Sequence, residues 1–113
     1  MQKISLDAAA REHLEIARNP AAARSSATVY GGHEHALRQT VVALLAGASL
    51  GEHENPGEAT VHVLSGRVQL TAGADIWEGR TGDLLVIPDA RHGLEAIDDS
   101  VVLLTAVPRS HIH

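Results

Sequence analysis

The sequence contains no cysteine and no phenylalanine, and only one tryptophan and one tyrosine. Without cysteine, the chain has no disulfide bonds, thiolate metal sites or cysteine nucleophiles. Tyr30 and Trp77 alone offer almost no surface on which nucleic-acid bases can stack. Lys3 is the single lysine among nine lysines and arginines, and the formal net charge is -5, so we expect no basic patch for a phosphate backbone. These absences predict that the protein has no nucleic-acid partner.

The sequence also lacks a long apolar run. The longest, residues 41 to 46, has the length of a strand, whereas a membrane-spanning helix needs roughly 18 to 20 apolar residues. The charged N-terminal segment has no apolar core of the kind found in signal peptides. We therefore predict a cytoplasmic protein with no membrane partner. The length of 113 residues predicts one small domain.

The chain divides into a short helical part and a longer part with the pattern of strands. Residues 6 to 18 place apolar side chains at helical spacing, which predicts an amphipathic helix of about three turns: these are Leu6, Ala10, Leu14 and Ala17. The Ala-rich residues 21 to 27 are interpreted as a connector. The predicted organisation is a helix and connector at 1–27, a barrel at 28–107 and a C-terminal tail at 108–113.

From Thr28 onward, short β-branched or aliphatic runs are separated by glycines. This pattern predicts strands at residues 36–46, 59–65, 66–72, 76–78, 83–87, 92–96 and 100–107. Many short strands with turn signals and little helix are typical of a sandwich or barrel. The predicted fold class is therefore all-β, with one short N-terminal α-helix.

Two stretches resemble the paired motifs of the cupin family. The first is GEHENPGEATVHVLSG, from Gly51 to Gly66, where the family has a glycine, a His-x-His pair, a glutamate and a second glycine. The second runs from Gly82 through five residues to Pro88 and then to His92. The resemblance covers roughly residues 40 to 107. It implies a jelly-roll barrel, also described as a double-stranded β-helix.

The sequence differs from the family pattern at the positions of the metal ligands. Cupin metal sites typically use both histidines and the glutamate of the first motif together with the histidine of the second. His53 and His92 carry over, whereas Asn55 stands at the second histidine and Ala59 at the glutamate. The turn from Pro88 to His92 is also one residue shorter than usual. The resemblance implies a pocket at the barrel mouth formed by His53, Asn55 and His92, with an incomplete metal set.

Glu58 is a candidate replacement for the missing glutamate. Adjacent strand residues point to opposite faces, so Glu58 is one position out of phase with Ala59 unless a bulge at Pro56-Gly57 restores the phase. The alternative is a solvated loop carboxylate. By the same parity, the interior should receive Ala59, Val61 and Val63, while Thr60, His62 and Leu64 face outward. His62 is thus interpreted as a surface or interface residue.

A second His-x-His, His33-Glu34-His35, lies upstream of the motifs. Two imidazoles on one face of an extended segment are half of a site for a divalent metal such as Zn, Ni, Mn or Fe. The alternative interpretation is a polar loop introduced by Gly31 and Gly32. His35 is therefore a candidate metal ligand together with His53, His92 and Glu58.

Two further polar residues are candidates for the pocket. Gln39 becomes an interior polar group if it shares the inner face with Leu37, Val41 and Ala43. Arg91, beside His92, has a guanidinium able to bind an anionic group with two hydrogen bonds, although an exposed turn arginine is the simpler interpretation.

Three functions remain open, because one barrel scaffold serves many activities. The first is a small-molecule-binding or sensing protein with a pocket near His53, Asn55 and His92. The second is a metal-dependent enzyme of the dioxygenase or isomerase type, in which His35, Glu58 or Asn55 joins the two histidines. The third is a dimer with a vestigial pocket.

A homodimer is predicted from two strands that are apolar on both faces. Residues 41 to 46 and 101 to 107 are apolar at nearly every position, whereas an exposed antiparallel strand alternates. One face fills the barrel and the other needs cover, which the short helix provides only in part. The competing explanation is complete cover by the helix and connector within one chain.

Overall fold

The computed structural model describes residues 1–19, 23–32, 34–53 and 57–108, with the backbone alone for His53. In these ranges the chain forms one helix and nine strands: α1 Leu6–Ala17, β1 Arg24–Tyr30, β2 Arg38–Leu44, β3 Ser49–His53, β4 Gly57–Ser65, β5 Arg67–Ala72, β6 Asp75–Arg80, β7 Leu84–Val86, β8 His92–Ala96 and β9 Ser100–Pro108. The strands form two antiparallel sheets. We call them the first sheet, in the order β1-β2-β9-β4-β7, and the second sheet, in the order β3-β8-β5-β6. The architecture confirms the predicted all-β jelly roll with one N-terminal helix.

The helix forms where the sequence predicts it. Ser5 caps its N-terminus, because the Ser5 hydroxyl accepts a hydrogen bond from the backbone N–H of Ala8 at 3.2 Å. Its apolar face packs on the outer face of the first sheet, where it buries Val41, Ala43, Val101 and Leu103. No helix in the described part of the chain is long and apolar enough to span a membrane.

The barrel core lies between the two sheets and is aliphatic. The first sheet contributes residues such as Val42, Val61 and Val102, and the second sheet contributes Leu70 and Leu94. On β4 the buried positions are Ala59, Val61 and Val63, whereas Thr60, His62 and Leu64 are half-buried on the other face. The predicted parity of this strand is confirmed.

Two strands are missing from the sequence prediction. β1 begins at Arg24, so the segment interpreted as a connector is partly a strand, and the predicted boundary between residues 27 and 28 cuts through it. Ser25, Ala27 and Val29 occupy the face of β1 beneath the helix, and small side chains there carry no strong strand signal. β3, with the sequence SLGEH, is also missed because glycine and charged residues interrupt its apolar pattern.

The strand register identifies the end of the barrel that we call the mouth. At this end β1 pairs with β2 at Tyr30 and Gln39, and β4 pairs with β9 at Gly57 and Pro108. The second sheet reaches the same end at the pair His53 and His92 and at the turn between β5 and β6. The link between β7 and β8, residues 87–91, joins the two sheets there.

Candidate functional site

His92 begins β8 at the mouth and points into the barrel. Its side chain is 4% exposed and lies on the same face as the buried Leu94 and Ala96. Its Nδ1 atom lies 3.0 Å from the carbonyl oxygen of Ala90. A carbonyl only accepts hydrogen bonds, so Nδ1 carries the proton and donates it. In the tautomer of imidazole that is protonated on Nδ1, Nε2 is the acceptor nitrogen.

The backbone of His53 is the register partner of His92 across the β3–β8 ladder. A bulge precedes this pair, because Gly51 and Glu52 on β3 stand opposite the single residue Gly93 on β8. The bulge brings the two histidine positions into one register pair. The side chain of His53 and the whole of Asn55 lie outside the described residues, so the predicted pocket of His53, Asn55 and His92 stays a prediction.

Arg91 lies on the rim of the mouth, where it bridges the turn to β3. Its Nε donates to the Glu52 carboxylate at 3.3 Å, and its Nη2 donates to the Glu52 carbonyl oxygen at 3.4 Å. Both side chains are exposed. Arg91 is therefore an exposed arginine in the turn, which was the simpler interpretation of the sequence. Glu52 binds its guanidinium.

Gln39 is on the wrong face for the interior role that the sequence suggested. It does share a face with Val41 and Ala43, but this is the outer face of the first sheet beneath the helix. There its Nε2 donates to the hydroxyl of Thr105 at 3.3 Å. The inner face of β2 instead carries residues of the opposite parity, such as Thr40 and Val42, because the helix covers the other set.

The candidate metal ligands Glu58 and His35 are not brought to the interior. Glu58 is exposed on β4 beside the buried Ala59, so its carboxylate lies on the outer face of the first sheet and no bulge restores its phase. His35 is exposed, and its ring packs against Tyr30 with a centroid distance of 5.0 Å. Within the described ranges no three His, Asp or Glu side chains are placed to hold a metal ion. Glu58 and His35 therefore do not join His92 in one metal site.

A cleft of about 420 Å³ opens between β3 and the facing part of the first sheet. It exists because the first sheet has five strands and the second has four, so the inner face of β1 is left exposed. The lining comprises polar residues on one side and aliphatic residues on the floor: Arg24, Ser25, Ser26, Thr40, Val42, Leu50 and Leu104. At the end away from the mouth, Arg24 Nη1 donates to the carbonyl oxygen of Ser49 at 3.5 Å.

Sequence reasoning missed this cleft. Ser26 lies in the segment interpreted as a connector, and Leu50 lies on the strand that the prediction omitted. The sequence did contain a short signal for β1, because the apolar Ala27 and Val29 alternate with the polar Ser26 and Thr28, and alternation with a period of two marks a strand.

The paired sheets, the aliphatic core and the buried histidine at the mouth define a barrel of the jelly-roll class. Residues 40–108 match the family model of the cupin domain. The chain therefore belongs to the cupin family.

Solved structures share this fold. A conserved protein of unknown function from Streptococcus pyogenes is 30% identical with a TM-score of 0.68, over 75% of this chain and 74% of that one. A cupin superfamily protein from Desulfitobacterium hafniense is 16% identical with a TM-score of 0.69, over 75% of this chain and 77% of that one. KdgF from Halomonas sp. is 22% identical with a TM-score of 0.66, over 77% of this chain and 82% of that one. The last two similarities show the fold alone, and no curated protein matches the chain.

Proposed function

We propose that this cupin binds a small molecule in the cleft between its two sheets. The observation that carries the proposal is the cleft itself, whose volume is about 420 Å³. Ligand pockets in proteins typically have volumes of roughly 300 to 1,000 Å³ and combine an apolar lining with a few polar groups. The cleft has both properties, since hydroxyl groups and one guanidinium face an aliphatic floor.

The lining indicates the chemistry of the ligand. Val42, Leu50 and Leu104 offer aliphatic surface, which favours an apolar body on the ligand. Ser26 and Thr40 can each donate and accept a hydrogen bond, and a guanidinium such as that of Arg24 suits a carboxylate. We therefore infer a small aliphatic molecule that carries a carboxylate or a hydroxyl group.

The histidines at the mouth are proposed to form a second polar part of this pocket. His92 supports this because it is buried at the mouth on the inner face of β8, where its Nδ1 is bonded to the carbonyl oxygen of Ala90. His53, whose backbone pairs with His92, and Asn55 are the proposed partners of His92 toward the ligand.

The experiment is a melting scan with a series of straight-chain carboxylates and the matched alcohols. A ligand that binds only the folded state adds RT ln(1 + [L]/Kd) to the free energy of unfolding, about 2.7 kcal/mol at a hundredfold excess over Kd. We expect saturable increases in Tm, with a larger increase for carboxylates than for alcohols of the same length. Arg24→Gln should abolish the difference between the two series. The absence of a saturable increase in both series would refute the proposal.

A metal-dependent enzyme of the dioxygenase or isomerase type is the second candidate. The register pair of His53 and His92 favours it, because two imidazoles supply half of the ligands of a tetrahedral metal site. It needs a further ligand. Glu58 and His35 both lie elsewhere, and Asn55 lies outside the described residues. We therefore rank the binding role first.

We also propose that the protein acts in the cytoplasm as a homodimer. On the outer face of β2 and β9, on which the dimer prediction rested, Val41, Ala43, Val101 and Leu103 are buried beneath the helix, so we propose an interface on another strand. Leu84 and Val86 on β7 are 60% and 64% exposed and lie beyond the helix on the same sheet. Exposed aliphatic residues on a short edge strand are suited to contact with a second copy of the chain.

A further inference from the structure

Trp77, the only tryptophan, lines a small pocket at the mouth. It lies on β6, the edge strand of the second sheet, and its side chain is 46% exposed. The pocket has a volume of about 90 Å³ and is formed by Leu70, Ala72, Asp75, Trp77, Pro88 and Ala90. It shares none of these residues with the cleft in which the small-molecule site is proposed.

The pocket exists because the two sheets meet closely at one end of β6 and separate at the other. At Gly79 they are in contact, since a Cβ atom built on this glycine would lie 2.9 Å from Leu85 Cδ1 and 3.2 Å from Val63 Cγ2. Trp77 is two residues nearer the mouth on the same face of the strand. There β7 has ended at Val86, and the turn at Pro88 forms the opposite wall.

The charge of the pocket is negative. Of the described residues that line it, only Asp75 is charged. Asp75 lies on the same face of β6 as Trp77, and its carboxylate takes part in none of the ion pairs found among the described residues. By contrast, Glu78 on the opposite face of the strand is paired with Arg67 and Arg80.

We propose that the Trp77 pocket binds a small organic cation, namely a methylated ammonium group. Indole is the aromatic side chain that attracts cations most strongly, and the Asp75 carboxylate adds attraction for positive charge. The apolar surfaces of Ala72, Pro88 and Ala90 suit the methyl groups of such a cation. A volume of about 90 Å³ equals that of roughly three water molecules at ~30 Å³ each, which fits a compact head group.

The test uses the fluorescence of Trp77, which reports on this pocket alone because the chain has no other tryptophan. Tetramethylammonium and choline are titrated into the full-length protein, and the neutral isostere 3,3-dimethylbutan-1-ol serves as the probe without charge. We expect saturable changes in emission for both cations, at concentrations at least threefold lower than for the neutral alcohol. Equal responses to cation and alcohol, or the absence of saturation, would overturn the proposal.

Two carboxylate variants provide a matched comparison. Asp75→Asn and Glu78→Gln remove the same charge from opposite faces of β6, and both positions are exposed. We expect Asp75→Asn to weaken binding of tetramethylammonium about threefold and Glu78→Gln to leave it unchanged. Equal weakening by both variants would indicate only the general negative charge of the protein and would overturn the site. Trp77→Leu, followed by calorimetry and checked for folding by circular dichroism, should abolish the preference for the cation over the alcohol.

Discussion

The Nδ1 atom of His92 donates a hydrogen bond to the carbonyl oxygen of Ala90, two residues earlier in the chain, at 3.0 Å. This bond closes the turn that leads into β8 and fixes the tautomer of the buried ring. The bond links the imidazole, which lies on the inner face of β8 with Leu94, to the turn that precedes the strand. The turn after Pro88 therefore contributes to the position of the His92 ring.

The His92 bond predicts the effect of two substitutions on stability. His92→Ala removes the donor and leaves a void, which should lower the free energy of unfolding by about 2 kcal/mol. His92→Asn retains an N–H donor near the position of Nδ1 and should lower it by about half as much. Urea denaturation measures both values. If the two variants are equally stable, the bond contributes nothing.

The cleft predicts that a bulky residue on β1 blocks ligand binding. Ser26→Tyr places an aromatic ring in the cleft from an exposed position and should abolish the increase in Tm given by the carboxylate series. Gln69→Tyr, on the outer face of the second sheet, is the matched control and should leave the increase intact. Retention of the increase in Ser26→Tyr would place the ligand elsewhere.

The positions of the candidate ligands predict the metal content. Glu58 and His35 are turned away from His92, so the described side chains do not supply the three protein ligands of a tight site. We expect tag-free protein to contain less than one metal ion per chain, and a chelator to leave Tm unchanged. Elemental analysis and a melting scan test this. One equivalent of metal together with a lower Tm in chelator would contradict it and favour the enzyme.

The contact of the helix with the first sheet predicts a difference between two helix residues. Leu14 packs against the cluster around Val41 and Leu103, whereas Ile16 is exposed on another face of the helix. Leu14→Ala should lower the free energy of unfolding by about 2 kcal/mol, and Ile16→Ala should change it by less than about 0.5 kcal/mol. Denaturant unfolding of both variants gives the comparison. Equal losses would show that the helix is not held through Leu14.

The exposed side chains of β7 predict the dimer interface. Light scattering at micromolar concentration should give twice the monomer mass for the unsubstituted protein, and Leu84→Asp should reduce this to the monomer mass. Ile76→Asp is the control, because Ile76 has a similar exposure of 59% but lies on the second sheet. A monomer mass for the unsubstituted protein at all concentrations would refute the dimer.

The sequence determined the fold class because its signals are local. Leu6, Ala10, Leu14 and Ala17 recur at helical spacing, and the helix forms there. Along β4 the alternation of residues has a period of two, and the buried set is the predicted one. The glycine and proline spacing at Gly82 and Pro88 indicated the family that the comparison established.

Only the tertiary structure decided which face of β2 is the interior. Both faces of β2 are apolar because the barrel core covers one and the helix covers the other. The sequence pattern therefore does not show whether Gln39 or Thr40 faces the interior. For β1, too, only the tertiary structure decided which residues line the cleft beside it. Ser26 becomes a lining residue only because β3 leaves the inner face of β1 uncovered, and that relationship depends on the number of strands in each sheet.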